Sequence, residues 1–447
     1  MQRPFLRMAG IAALAVFQMG VRGAEPAKLL PIGDGVASSS INTVIFRHSP
    51  LVTFEKTQYA AYYDAEAHVV LAKRTVGEEK WEVKRTELTG NVKDAHNTIS
   101  LGVDGAGIVH MAWDHHGANL NYVQTRGPGS LELTAKMTMD GERENQVTYP
   151  EFYSLPDGKG GSDVLFLYRV GSSGNGDLVL KRYRTSEKKW ETVARNLVAG
   201  EGQANAYPEF AVGPDGTLHL GWVWRRSPDV STNHDICYAR SKDGGVTWTD
   251  SMGKKMTLPM TAATCEVALK IPEKSELINQ TTIAGDAEGH PYIATYFRPA
   301  GGGGTTVPQY QVVWHDGSKW QVSQVGARTQ AFSLAGGGTK RIPISRPLIM
   351  VDASKKPTAA YVAFRDAERG DHVTLASIEN VGGGGEWKFA DLSAEAWGSW
   401  EPSFDPARWK NDHVIDLFVQ KTDQLDGNDG SNRTLPPTKV SVLEFKP

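Results

Sequence analysis

The chain has 447 residues and a formal net charge of −3 at pH 7. That length allows one large domain or two to three ordinary ones, and so balanced a charge gives no reason to expect nucleic acid or an anionic membrane as partner. Gly (47) and Trp (12) are plentiful, long Ala/Leu/Glu/Lys windows are missing, and the profile is that of an all-β chain with many turns.

The N-terminus reads as an address. MQRPFLR is basic, MAGIAALAVFQMGV is apolar, and Val21 and Gly23 offer small residues for cleavage after Gly23. Residues 1–23 are therefore expected to be a signal peptide and 24–447 the mature protein, secreted or periplasmic. The alternative is a single membrane anchor, for which the apolar run is short. With no second apolar span, no membrane contact is expected after cleavage, and a monomer is expected. Cys237 and Cys265 are the only cysteines. A disulfide, two free thiols and a metal contribution through His234-x-x-Cys237 all remain open, although no fourth ligand is evident.

Next come the turns. TFEKTQYAAYY (from 53), VDGAGIVHMAW (103), PDGKGGSDVLFLYR (156), PDGTLHLGWVW (214), DAEGHPYIATYF (286), DASKKPTAAYVAF (352) and DPARWKNDHVIDLFV (405) each pair a turn with an apolar-patterned strand. The seven units recur roughly fifty to seventy residues apart. Between them a polar turn ends in Trp: VGEEKW, SEKKW, SKDGGVTW, DGSKW and GGGGEW, the third fitting the Asp-box S-x-D-x-G-x-T-W. Periods of this size with several strands per unit mean a seven-bladed β-propeller occupying 24–447 as one domain. Two β-sandwiches are the alternative, but no linker-like shift separates two halves.

DAHNTISLGVDGAGIVHMAWDHH, Asp94 to His116, carries four of the twelve histidines. His96 is expected to open a strand, and His110 to be structural. The repeat aligns His96 with other residues. YPEF occurs at Tyr149–Phe152 and again at Tyr207–Phe210, with Asp157 and Asp215 each eight residues after the tyrosine; eight before Asp104 stands His96. His96, Tyr149 and Tyr207 thus hold one place in three successive blades. If theirs are the innermost strands, all three point at one mouth of the channel. The return strands end in Trp113-Asp114-His115-His116, Tyr168-Arg169 and Trp224-Arg225-Arg226. This places His115 or His116 near His96 and Arg169 near Tyr149, with Asn97, Asn175, Gln203 and Arg225 as further candidate contacts. Packed tyrosines, and an Arg169–Asp177 ion pair, are the alternatives.

The residue types narrow the reaction. A glycosidase usually needs two flanking carboxylates, whereas the aligned positions hold His and Tyr. A sialidase would need an arginine cluster and several Asp boxes. No metalloprotease helix, nucleophile elbow or phosphate loop occurs. His, Tyr and Arg together suit proton abstraction next to a carboxylate: Arg binds the carboxylate bidentately, His or an ionised Tyr removes the α-proton, and a second group protonates the leaving oxygen. On a uronic acid this is β-elimination. A phenol acting as base, with an ordinary pKa near ~10, is expected to be acidified by adjacent Arg and His.

The stretches SSSINTVIFRHSPLVTFEKTQYAAYYDAE, DAHNTISLGVDGAGIVHMAWDHHGANLNY, TYPEF…YRVGSSGNGD and AYPEF…DICYARSKDGGVTW resemble the BNR-4 repeat proteins over nearly the whole mature chain. Similar members include seven-bladed propeller polysaccharide lyases of the ulvan lyase and rhamnosyl-glucuronate lyase type. The resemblance implies His96 and His116 as the histidine pair, Tyr149 as the catalytic tyrosine, Arg169 as the carboxylate-neutralising arginine and Tyr207 as a second site tyrosine. The loop between Tyr149 and Arg169, with LPDGKGGSD, is longer than in that pattern. A histidine that helps hold structural zinc in some relatives is replaced near Ser173, so no metal or cofactor is expected. Other similar proteins look like α-L-rhamnosidases that release rhamnose from glucuronic acid through a single histidine on the opposite face, which His48 would match. The expected partner is an anionic poly- or oligosaccharide. A non-catalytic carbohydrate-binding propeller is the remaining alternative.

Overall fold

A computed structural model describes residues 26–44, 49–158, 161–299, 306–426 and 435–447. Its strands form seven antiparallel sheets in chain order, the seven blades of a β-propeller. Blades 1 to 6 occupy 51–89, 99–124, 147–194, 205–269, 282–324 and 348–391. Their first strands touch one another in succession, so they line the central channel.

The turn after each first strand shows why the Asp spacing is so regular. Asp104 Oδ1 accepts from the backbone N–H of Ala106 and of Ile108, both at 2.9 Å. Asp286 repeats this with Glu288 and His290. A short carboxylate thus closes the hairpin locally. The Trp-ended turns also have one meaning. Trp81, Trp190, Trp320 and Trp387 stand at or just before the fourth strands Glu82–Thr89, Lys189–Ala194, Trp320–Gln324 and Lys388–Asp391. In the Asp box, Asp243 accepts from Thr247 N and Oγ1, and Trp248 is wholly buried with its Nε1 donating to Gly245 O.

The return strands are more buried than simple alternation predicts. Val109–Trp113 and Leu218–Arg225 are buried at every position, because each blade is covered on both faces by its neighbours. The outermost strand Glu82–Thr89 does alternate. Burying one such side chain, Leu101 for example, contributes about 1.5–3 kcal/mol.

The seventh unit departs from the hairpin expected there. Asp405 caps a helix, Pro406–Asp412, accepting from Ala407 N and Arg408 N. The chain then returns as Ile415–Gln420 and Thr438–Phe445. The N-terminal strand Lys28–Gly35 supplies this blade's outer edge, pairing Leu30 with Val442, so residues near the two ends share one sheet. The seam with blade 1 is polar and buried: Gln58 donates to Asp405 and Asp416, and Arg74 reaches Asp416 at 3.4 Å. Among the described residues no helix is long and apolar enough to cross a membrane. The signal-peptide reading of 1–23 and His48 lie outside the described residues.

Candidate active site at one mouth of the propeller

His96, Tyr149 and Tyr207 do converge. His96 and Tyr149 ring centroids are 5.9 Å apart, and those of Tyr149 and Tyr207 6.0 Å. All three line a cavity of about 180 Å3 at the channel mouth, together with His116 and Arg225. His96 does not open a strand; it stands three residues before Ile99–Val103. It is held there by Asp94, whose Oδ1 accepts from the His96 backbone N–H at 3.0 Å and lies 2.5 Å from its Nδ1.

His116 arrives by a detour. After the return strand of blade 2 the chain leaves that sheet through Asp114 and Gly117, both at positive φ. Residues His116–Ala118 pair instead with the first strand of blade 3, His116 opposite Thr148. The imidazole then stacks on His96 with centroids 4.3 Å apart, its Nδ1 2.7 Å from Asp94 Oδ2. Tyr149 sits at a register shift between Thr148 and Glu151, with φ of 53°. A left-handed tyrosine in a strand is strained, a conformation that recurs at functional sites.

One carboxylate thus serves two imidazoles. Burial works against the charge of Asp94, but the hydrogen bonds from His116 and His96 win and hold its carboxyl far below the usual carboxylate range. An ionised carboxylate only accepts, so Nδ1 of each ring carries the proton. When neutral, each imidazole then turns Nδ1 and not Nε2 toward Asp94. Burial pulls the His96 pKa down, against the raising effect of Asp94, so His96 favours the neutral base form.

The phenols respond to two guanidiniums. The Arg169 guanidinium lies 4.8 Å from the Tyr149 centroid and 5.7 Å from that of Tyr207. Arg225 Nη1 donates to the Tyr207 hydroxyl at 3.1 Å, and Ser173 Oγ lies 3.0 Å from it. Burial and the neighbouring Tyr207 push the Tyr149 pKa up, against Arg169 and Arg225. At Tyr207 burial is outweighed by Arg225 and Arg169, and the phenol is acidified. The acidified phenol is therefore Tyr207 and not Tyr149: Arg225 bonds the Tyr207 hydroxyl directly, while at Tyr149 burial and the neighbouring Tyr207 outweigh the charges of Arg169 and Arg225.

Other candidates fall elsewhere. His115 is wholly buried. Its Nε2 accepts from Asn121 N at 2.8 Å, and burial lowers its pKa to about 3, so of the adjacent pair only His116 faces the cavity. Asn97 donates to Asn91 O beneath the site. Asn175 begins a strand at an exposed position, Gln203 lies in an exposed turn, and neither lines the cavity. Arg169 lies behind the two phenols, only 2% exposed, and the cavity wall carries Arg225 instead. Asp177 pairs with Arg143, not Arg169. His110 is structural as expected, buried with its Nδ1 2.6 Å from the Tyr122 hydroxyl. His234 Nδ1 lies against Thr232 O, while Cys237 faces Cys265.

Sequence reasoning missed Asp94, although the D-x-H spacing of an Asx turn was a usable signal. It also missed the far wall, where Arg346 is ion-paired with Glu401 at 2.7 Å and Lys340 lines the cavity. Among the described residues two groups could hold a metal ion by proximity: Asp94, His96 and His116, and, away from the cavity, Asp286, Glu288 and His290. In each the ligand atoms lie within 4.8 Å of one another.

The sequence matches the profile of the BNR repeat-containing family over residues 57–328, more than half of the chain, and the chain belongs to that family. No curated protein matches it. Among solved structures, the polysaccharide lyase Uly1 superposes with a TM-score of 0.66 at 12% identity, over 94% of this chain and 97% of that one. An ulvan lyase, described as a new family of polysaccharide lyase, gives 0.65 at 13% identity over 93% and 96%. The same lyase bound to -[GlcA(1-4)Rha3S]- gives 0.65 at 12% over the same shares. At these identities the likeness establishes the fold.

Proposed function

We propose that this protein is an exported polysaccharide lyase that cleaves a rhamnose- and uronic-acid-containing glycan by β-elimination. The observation that carries the reading is the Asp94-held imidazole pair beside Tyr149, backed by two guanidiniums, with a single carboxylate on the described cavity wall. That carboxylate, Glu401, is ion-paired with Arg346, which leaves no pair of carboxylates for ordinary glycoside hydrolysis. The lyases that share the fold support the same chemistry.

The steps follow from the proton inventory. A uronate carboxylate entering the cavity meets Arg225 on the wall, and the charge of Arg169 adds from behind the phenols. Among the described residues Arg169 has no ion pair, and its Nε and Nη1 have no hydrogen-bond partner. Positive charge at the carboxylate stabilises the carbanion that forms when C5 loses its proton. The neutral imidazole of His116, the more exposed of the pair, takes that proton at Nε2, with His96 stacked behind it. Asp94 stabilises the imidazolium that results. Tyr149, whose buried phenol retains its proton, donates it to the departing glycosidic oxygen at C4. Tyr207, acidified by Arg225, orders the guanidinium layer.

The test is ultraviolet absorbance during incubation with ulvan and with a rhamnose-capped arabinogalactan. Growth of the conjugated unsaturated uronate is the expected result. Free rhamnose without that absorbance would overturn elimination in favour of hydrolysis, and binding without any product would leave a carbohydrate-binding propeller.

A further inference from the structure

Cys237 lies on the third strand of blade 4, Asn233–Ser241, and is wholly buried. Cys265 immediately precedes the fourth strand, Glu266–Leu269, which pairs antiparallel with the third through Tyr238–Glu266 and Cys237–Val267. Between the two cysteines the chain leaves the sheet. It forms the Asp-box turn and then runs out to residue 260, where Met260 bridges Val198 in the connection from blade 3. It comes back through a tight turn in which Cys265 N donates to Thr261 O at 2.9 Å. The two Sγ atoms end 3.5 Å apart, and both cysteines belong to the apolar cluster around Trp224 and Trp248.

We infer that Cys237 and Cys265 are a modification site: in the presence of a disulfide oxidant they close to an intrachain disulfide that ties the fourth strand of blade 4 to the third. Bonding requires the sulfurs to approach from 3.5 Å to about 2.05 Å. The order of events follows from the environments. Cys265 is partly exposed, and its hydrogen bond with Cys237 draws its thiol below the usual range. Burial pushes Cys237 well above it. The Cys265 thiolate therefore attacks a sulfur of oxidised glutathione first, forming a mixed disulfide and expelling one glutathione thiolate. Cys237 then gives up its proton and attacks Cys265 Sγ, expelling the glutathione sulfur as the second thiolate. Two protein thiols are oxidised, one glutathione disulfide is reduced to two thiols, and electrons and protons balance. The closed loop covers the excursion that packs on blade 3, so the bond stiffens the blade that supplies Tyr207 and Arg225.

The experiment uses the full chain, reduced with dithiothreitol and then exposed to oxidised glutathione at mildly alkaline pH. Thiols are counted under denaturing conditions, intact mass is measured, and thermal unfolding is followed in both states. The expected result is two thiols before and none after, a mass lower by two hydrogen atoms, a Cys237–Cys265 cross-linked peptide, and a Tm higher by ~4 °C in the oxidised form. Cys265→Ser should remove the redox dependence of Tm. Two thiols still titrating, glutathione retained on Cys265, or a cross-link between two chains would each overturn the inference.

Discussion

The same backbone position does different work in the two halves of the mouth. Eight residues before the turn aspartate stand His96, Tyr149 and Tyr207 in blades 2 to 4, but Ile278 and Ile344 in blades 5 and 6. All five line the cavity. The propeller supplies radially equivalent addresses, and only one arc of them is filled with titratable side chains. The other arc is aliphatic at this level; of its charged groups, Arg346 is ion-paired with Glu401 and Arg365 with Asp371, and Lys340 also lines the wall. The difference teaches that the fold specifies where a side chain points, while the residue type at that address decides whether the address offers titratable chemistry or only apolar packing.

The sharpest way to break this division is to remove one proton donor. Tyr149→Phe should cut turnover by roughly 1,000-fold, within the range for a lost general acid, with little change in Tm. The rate of unsaturated-uronate formation measures it, and near-wild-type turnover would end the proposed role. His116→Ala should cost on the order of 100-fold or more by the same assay.

Asp94→Asn should cost about 10–100-fold, as expected when the partner orienting an imidazole is lost. The pH profile distinguishes positioning from mere packing. The carboxylate raises the proton affinity of His96, so its loss should move the acid limb of kcat/KM to lower pH. In the wild type, burial holds His96 below its ordinary value of 6.5. Its contribution to activity should therefore persist below pH 6.5 and be lost only as the imidazole becomes charged. A His96 imidazole titrating above that value by NMR would contradict this reading.

The smallest effect belongs to the aliphatic arc. Ile344→Val should cost about 1 kcal/mol of stability and leave kcat/KM within about twofold. Denaturant unfolding and the same absorbance assay check both halves of the statement. A loss of turnover rivalling that of Tyr149→Phe would mean that the two arcs are not functionally distinct.

Much of this was legible in the chain because it is local. The turn aspartates recur because a carboxylate two to four residues from its backbone donors closes a hairpin. Counting back from them places His96, Tyr149 and Tyr207 on one ring. Asp405 carries the same letter, but Pro406 behind it makes a helix start and not a hairpin, a signal present in the sequence and read as a turn. His115 and His116 could not be separated by pattern, since which of two neighbours faces the cavity depends on pairing with Thr148 in the next blade. Arg169 was correctly drawn to the tyrosines but lies behind them, and Arg225 holds the wall.

The sequence by itself determined the seven-unit period, the β class and the common radial address of three site residues, because turns and strand periodicity are set by near neighbours. Only the tertiary structure decided that Asp94 bridges two imidazoles, that Tyr207 is the acidified phenol, and that Cys237 meets Cys265. Those outcomes depend on burial and on charges brought within a few ångströms by segments distant in the chain or in different blades, and no local pattern encodes such distances.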